Sequence, residues 1–175
     1  GQKIFSKRDC LSMKSLVLDE ALNKAFSLGR APSTNSRPVV VADQSDNAGG
    51  GAPSDSTFAL KWLFEHDIEN VAMAIFYDPQ VVKFALSAGV GASLKVRLGG
   101  KLAASSGDPL DLDVVVKAIQ RDYYHQFPQG KDKSIAIYIG DTVALSCRGI
   151  DIIVSSERSQ CFSPCIFRDL GINVS

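Results

Sequence analysis

The stretch VAMAIFYDPQVVKFALSAG, residues 71–89, predicts a strand followed directly by a helix. Residues 71–76 form an uninterrupted apolar run of the length expected for a buried central strand. Asp78 followed by Pro79 is typical of a helix start, and Gly89 is typical of a helix end. This segment therefore predicts one strand inside a sheet and one helix packed on that sheet.

A second apolar run, residues 39–42, predicts a short buried strand upstream of the first. Between the two strands, a helix is predicted to be capped by Ser54 or Asp55 and to end near His66. A strand, a helix and a strand over this length indicate parallel strands joined by a right-handed crossover. This half of the sheet is therefore predicted to be a parallel β-α-β unit.

Beyond Gly89 the pattern changes to that of antiparallel strands. Residues 93–98 alternate apolar and charged side chains, which predicts a strand with one solvated face near the sheet edge. The remaining predicted elements are strands in residues 112–121, 135–147 and 150–154, a solvated loop at 129–134, a hairpin turn at Arg148 and Gly149, and a helix in 164–170. The predicted fold class is α/β, a mixed sheet with a parallel β-α-β portion, an antiparallel extension and helices packed on the sheet.

Length and composition predict one globular domain. The chain has 175 residues, of which 45% are hydrophobic and 22% charged, as in ordinary soluble domains. An amphipathic helix in residues 15–28 and a proline-containing linker make up residues 1–37, and the globular domain is predicted to span residues 38–175. The helix is expected to pack on that domain.

Charge and cysteine content limit which classes of partner and which cellular compartment we expect for this chain. The 19 Lys and Arg residues equal the 19 Asp and Glu residues, so no net charge attracts nucleic acid or an anionic membrane. No apolar run is long enough to cross a bilayer. Four cysteines, Cys10, Cys147, Cys161 and Cys165, do not amount to a disulfide framework, and we expect buried, reduced thiols in the cytoplasm.

Residues 43–56, DQSDNAGGGAPSDS, form the loop that could carry chemistry. Gly49, Gly50 and Gly51 allow the backbone to approach a ligand closely, and the following helix offers free N–H groups. Ligands of open α/β sheets usually bind at the carboxyl ends of strands, where this loop is predicted to lie. Two interpretations remain open, a cradle for an anion or carbonyl group and a purely structural glycine turn.

The acidic residues of this loop argue against a bound nucleotide. Asp43, Asp46 and Asp55 would repel a phosphate group unless a cation lay between them. The Gly-rich sequence also lacks the lysine and the spacing of a phosphate-binding loop. These features favour a metal-linked ligand or a polar amide.

The sequence alone predicts no metal site in this chain. The two histidines, His66 and His125, are far apart and are predicted to be surface or capping residues. Cys161 and Cys165 form an isolated pair, and two thiolates cannot complete a tetrahedral zinc site.

Four segments together resemble one protein family. They are PVVVADQSDNAGGGAPSDST (38–57), AGVGASLKVRLGGK (88–101), SGDPLDL (106–112) and FRDLGI (167–172). In order and spacing they resemble the C-terminal domain of the MlrC-like proteins, a family assigned to the zinc metallopeptidases.

The resemblance implies a two-domain, metal-dependent amide or peptide hydrolase. Its zinc ligands, an aspartate and histidines, would belong to an N-terminal domain, so this chain would hold no cofactor and would be inactive alone. Zinc would be present in the full-length protein. The expected partners are that N-terminal metal-binding domain and a small peptide or amide substrate.

The same resemblance assigns roles within the glycine-rich loop. Asp46 and Asn47 would be catalytic, contacting the substrate or the water held by the metal. Substrate-binding roles fall to Gly49, Gly50 and Gly51, whose N–H groups would donate to a developing oxyanion, and to Asp55 and Ser56, with Asp55 fixing the loop or orienting a neighbouring group. The alternative is a non-catalytic binding or oligomerisation module that uses an apolar surface of Phe58, Trp62 and Phe64.

Overall fold

The computed structural model describes residues 2–7, 15–30, 37–131 and 133–174. Contacts divide the chain into two compact units, residues 1–41 and 42–175. The first unit contains helices α1 (Gln2–Phe5) and α2 (Leu18–Arg30), and the described part of α2 has no buried residue. The packing of this helix on the domain therefore stays a prediction. Cys10 and most of the predicted linker lie outside the described residues.

The prediction of a strand at residues 39–42 is wrong. The segment forms no strand, and its three valines are exposed, Val40 by 86%. An apolar, β-branched run favours the extended backbone, but a strand also needs a neighbour for its N–H and C=O groups. No strand in the described part of the chain pairs with this segment.

The second unit contains all seven strands and the remaining helices of the described residues. The strands are β1 (Val71–Tyr77), β2 (Ser93–Leu98), β3 (Leu110–Gln120), β4 (Tyr124–Gly130), β5 (Lys133–Tyr138), β6 (Thr142–Cys147) and β7 (Ile150–Ser155). The helices are α3 (Phe58–Glu65), α4 (Pro79–Ala88) and α5 (Cys165–Asp169).

Five strands form one mixed sheet in the order β1-β7-β6-β3-β2. Strands β1 and β7 are parallel, and all other neighbours are antiparallel. The α/β fold class with a mixed sheet is therefore confirmed. The parallel partner of β1 is β7, near the end of the chain, and not the predicted strand at residues 39–42.

Several elements predicted from short sequence patterns are confirmed. Helix α4 begins at Pro79, and the carboxylate of Asp78 accepts a hydrogen bond from the N–H of Val81 (3.2 Å). Strand β2 lies at the sheet edge as predicted. The hairpin between β6 and β7 also turns as predicted, at Arg148 and Gly149, which have φ angles of 49° and 75°.

Two local predictions need correction. Residues 135–147 contribute to two strands, and β5 pairs with β4 in a separate two-stranded sheet, so residues 129, 130, 133 and 134 of the predicted solvated loop lie in strands. Helix α3 is preceded by Thr57 and not by Ser54 or Asp55, because the Ser54 hydroxyl binds the carbonyl of Asp46 and the Asp55 carboxylate binds the N–H groups of Lys101 and Leu102.

Helices cover the large sheet and bury its apolar side chains. Val81, Val82 and Ala85 of α4 are buried, and α4 contacts β2, β3, β6 and β7. A further cluster joins the end of the chain to the sheet. Its buried members are Ile139, Ala144, Ile153, Ile166, Leu170 and Ile172.

His125 is buried, which corrects the prediction of a surface or capping residue; His66 does end α3 as predicted. The Nε2 atom of His125 accepts hydrogen bonds from the N–H groups of Phe162 (2.8 Å) and Ser163 (3.3 Å). The proton of the neutral ring therefore lies on Nδ1, which has no partner among the described residues. Burial lowers the pKa of His125, and the charge of Asp169 opposes this shift.

We expect His125 to make the free energy of unfolding depend on pH. The folded protein has the lowered pKa, whereas the unfolded chain titrates near about 6.5. The stabilisation that comes from burying neutral His125 is therefore complete above about pH 6.5. It is lost as the pH falls toward the pKa of His125 in the folded protein.

Urea unfolding between pH 5 and pH 8 tests this expectation. His125→Gln keeps an acceptor oxygen for the two N–H groups but cannot be protonated. The stability gap between wild type and this variant should narrow as the pH falls. A gap that stays constant across this range would contradict the assignment.

Candidate functional site

The loop of residues 43–57, here called the glycine loop, lies at the carboxyl ends of the parallel strands β1 and β7. The N–H of Tyr77, the last residue of β1, donates to the carbonyl of Ser54 (2.7 Å). Gln160, which follows β7, donates through Nε2 to Oδ1 of Asn47 (2.6 Å). The loop thus occupies the kind of position where α/β proteins bind ligands, although the strands differ from those predicted.

Asp46 closes the glycine loop on itself. Its Oδ1 accepts the N–H of Ser54 (2.8 Å), and its Oδ2 accepts the N–H of Ser56 (2.6 Å). The hydroxyl of Ser54 donates in turn to the carbonyl of Asp46 (3.3 Å). Both carboxylate oxygens therefore bind the loop's own backbone.

The N–H groups of the three glycines also donate inside the loop. Gly49 donates to Oδ1 of Asn47 (2.9 Å), Gly50 to the carbonyl of Asn47 (2.9 Å), and Gly51 to the carbonyl of Ala48 (3.0 Å). Together they form one turn of 3-10 helix, which Gly51 ends with a φ of 91°. In this conformation none of the three N–H groups is directed at a ligand.

Asn47 presents the free donors that the glycines lack. Its Oδ1 accepts two hydrogen bonds, one from Gly49 and one from Gln160. Because the backbone N–H of Gly49 can only donate, the oxygen of the amide must face it, and the Nδ2 group must point the other way. Among the described residues Nδ2 has no acceptor, and the half-buried Asn47 thus offers two N–H groups in a fixed direction.

Asp55 anchors the glycine loop to the segment after β2. The side chain is buried, and its Oδ2 accepts the N–H groups of Lys101 (2.7 Å) and Leu102 (2.9 Å). The carbonyl of Asp55 accepts the N–H of Gly100 (2.7 Å). Of the two roles expected for Asp55, these contacts support fixing the loop.

Lys101 and Asp78 form a buried ion pair beside this anchor. From the sequence, Asp78 was recognisable only as a helix cap. Nζ of Lys101 contacts both oxygens of Asp78 (3.0 and 2.8 Å), and the N–H of Gly99 donates to Oδ2 of Asp78 (3.1 Å). The side chain of Asp78 is only 2% exposed. The same carboxylate therefore caps α4 and holds the segment that binds Asp55.

The described residues do not fit a metal centre. No three His, Cys, Asp or Glu side chains in that part of the chain lie together as a metal site would require. The expectation of buried thiols holds for Cys147, but Cys161 is exposed and Cys165 is half-buried. No described helix has the length and apolar character that a membrane crossing requires.

The apolar surface expected for a binding module is mostly internal. Trp62 is buried, Phe64 is half-buried, and only Phe58 is exposed. The buried face of α3 consists of Leu60, Trp62 and Leu63. The three aromatic side chains therefore do not form one exposed patch.

Known proteins resemble this chain over most of its length. The family described as MlrC C-terminus matches residues 41–175. Microcystinase C of Sphingomonas sp. is 30% identical over 163 residues, which are 92% of this chain and 31% of that protein. A crystal structure from Mesorhizobium sp. BNC1, of a protein assigned without proof of activity to the metallopeptidases, has a TM-score of 0.79 at 24% identity, covering 99% of this chain and 33% of that one. The chain thus spans about a third of each protein.

The hydrogen bonds of Asp46 predict a specific loss of stability. Asp46→Asn replaces one acceptor oxygen with an NH₂ group, so one of the two loop N–H groups loses its partner. We expect the free energy of unfolding to fall by about 1–3 kcal/mol, with faster amide exchange at Ser54 and Ser56.

Asp43→Asn is the matched control for this change. Only one oxygen of Asp43 accepts a loop N–H, that of Ser45 (2.8 Å), and asparagine retains one such oxygen. Chemical denaturation and amide exchange should therefore show little change. Equal losses in the two variants would mean that Asp46 does not close the loop.

Proposed function

This chain belongs to the MlrC C-terminal family, and we propose that it forms one wall of the cleft of an enzyme that hydrolyses amide or peptide bonds. The relatives are about three times as long as the matched region, so the activity of the whole protein is part of this proposal. The substrate class we propose is a small peptide or another amide. The proposed location is the cytoplasm.

The observation that carries the proposal is the orientation of the Asn47 amide. Hydrolysis of an amide places negative charge on the carbonyl oxygen in the transition state, and donors fixed in advance near that oxygen lower the barrier. Asn47 offers two such N–H groups at the carboxyl ends of β1 and β7. The donor role assigned earlier to Gly49, Gly50 and Gly51 thus passes to the Asn47 side chain, because their own N–H groups bind within the loop.

The other predicted residues support this donor indirectly. Asp46 closes the glycine loop through Ser54 and Ser56, and Asp55 ties the loop to residues 100–102. A donor held in this way does not need to reorganise during the reaction. In this proposal Asp46, Asp55 and Ser56 hold the loop in shape, and Asn47 contacts the substrate.

A metal is proposed for the full-length protein and not for this chain. The Mesorhizobium protein is assigned to the metallopeptidases, and zinc is the metal that the family resemblance implies. Since the described residues do not fit a metal centre, we propose that the ligands come from another part of the full-length protein.

The substitution Asn47→Asp separates the donor role from the structural one. Aspartate keeps acceptor oxygens for Gly49 and Gln160 but has no N–H group to offer a substrate. In the full-length protein we expect kcat for a peptide substrate to fall about 100-fold or more, with a small change in KM.

Asn23→Asp, on an exposed position of α2, makes the same chemical change outside the loop and should leave kcat unchanged. Thermal unfolding of both variants checks that the fold is intact. Equal kcat values for the two variants would contradict the proposed role of Asn47.

A further inference from the structure

We propose that Gln160 is a positioning residue that holds the Asn47 amide in its orientation. The catalytic consequence of this inference rests on the proposed function, whereas the contact itself does not. Gln160 lies outside the glycine loop and outside the four segments that carry the family resemblance. Its role follows from three features of its surroundings.

The first feature is the donor pattern at Oδ1 of Asn47. Nε2 of Gln160 lies 2.6 Å from this oxygen, and the N–H of Gly49 lies 2.9 Å from it. If the Asn47 amide rotated by half a turn, its NH₂ group would face the backbone N–H of Gly49, which can only donate, and the amide would lose its present bond from Nε2 of Gln160. The Gly49 contact therefore selects the orientation of the amide, and the Gln160 contact is the side-chain bond that holds the amide in it.

The second feature is the space that Gly49 leaves for Gln160. A Cβ atom at position 49 would overlap the carboxamide group of Gln160. The φ angle of Gly49 lies outside the left-handed region, so its backbone does not itself require glycine. A side chain at position 49 would therefore push the Gln160 carboxamide away from Asn47.

The third feature is the anchoring of the segment that carries Gln160. The N–H of Ser156 donates to the carbonyl of Asp141 (2.9 Å), and the N–H of Glu157 donates to the carbonyl of Ile139 (3.2 Å). Arg158 reaches the loop from the same segment and donates to the carbonyl of Ala52 (3.4 Å). The segment that carries Gln160 is therefore anchored just before this residue, which limits where its side chain can meet Asn47.

NMR of the 175-residue chain tests the positioning directly. The probe is the side-chain NH₂ signal of Asn47, which is assigned by its loss in Asn47→Asp. Gln160→Met removes the donor at similar volume, and Gln160→Glu places an acceptor against Oδ1. In both variants we expect a shifted Asn47 signal and proton exchange about fivefold faster or more, with backbone signals outside the loop unchanged.

Gln120→Glu is the matched control. Nε2 of Gln120 donates to the carbonyl of Asp169 (3.3 Å), and the glycine loop is not involved. This variant should leave the Asn47 signal unchanged. An Asn47 signal that is the same in wild type, Gln160→Met and Gln160→Glu would overturn the inference, as would an equal shift in Gln120→Glu.

Kinetics of the full-length protein test the catalytic consequence. Gln160→Met should lower kcat about tenfold or more with little change in KM, because the donor is misdirected and not removed. In the Asn47→Asp background the same substitution should have no further effect on kcat, since the donor is already absent. If the role of Gln160 were purely structural, Gln160→Met would lower the free energy of unfolding, and its effect on kcat would be the same with Asn or Asp at position 47. That result would overturn the positioning role.

The two proposals fail in different ways. If Asn47→Asp leaves kcat unchanged while Gln160→Met shifts the Asn47 signal, the proposed function is wrong and the positioning of the amide stands. If Asn47→Asp abolishes activity and neither Gln160 variant moves the signal, the positioning is wrong and the proposed function stands.

Discussion

The glycine loop depends on one constraint, that buried carboxylates must find donors. Asp55 and Asp78 are almost completely buried, and each takes backbone N–H groups from the segment that follows β2. A buried charge without such partners would be strongly destabilising. Meeting this need fixes residues 99–102 against the loop, and Lys101 adds the only ammonium group that the described residues bring to Asp78. A loop with little regular structure of its own thereby acquires a defined shape.

This constraint also explains how an acidic loop can face an electron-rich ligand. Three aspartates in residues 43–55 suggest a surface that repels anions. In the folded chain both oxygens of Asp46 accept loop N–H groups, and Oδ2 of the buried Asp55 accepts those of Lys101 and Leu102, so these carboxylates are directed at backbone donors. Asp43 is exposed and binds the N–H of Ser45, and the neutral amide of Asn47 has its NH₂ group free of acceptors among the described residues. The loop can therefore donate hydrogen bonds to a carbonyl oxygen although its composition is acidic.

The sequence was a good guide wherever one signal was local. Strand β1, helix α4 with its Asp78 cap and the turn at Arg148 follow from short-range patterns, and the structure confirms them. The prediction of a strand at residues 39–42 was wrong because strand formation also depends on a distant part of the chain. An apolar run favours the extended backbone but does not show whether a neighbouring strand is present. The bond from Gln160 to Asn47 joins residues 113 positions apart and carries no periodicity or motif. The glycine loop could thus be located from the sequence, but the direction of its donors could not.

The most direct test of this account is a crystal structure of the full-length protein with a phosphinic peptide, whose charged oxygen imitates that of the tetrahedral intermediate. We predict that Nδ2 of Asn47 lies about 2.7–3.1 Å from that oxygen, with the N–H groups of Gly49, Gly50 and Gly51 still bonded inside the loop. The account would be contradicted if Asn47 were covered by another part of the protein, or if the glycine N–H groups had turned to bind the inhibitor in its place.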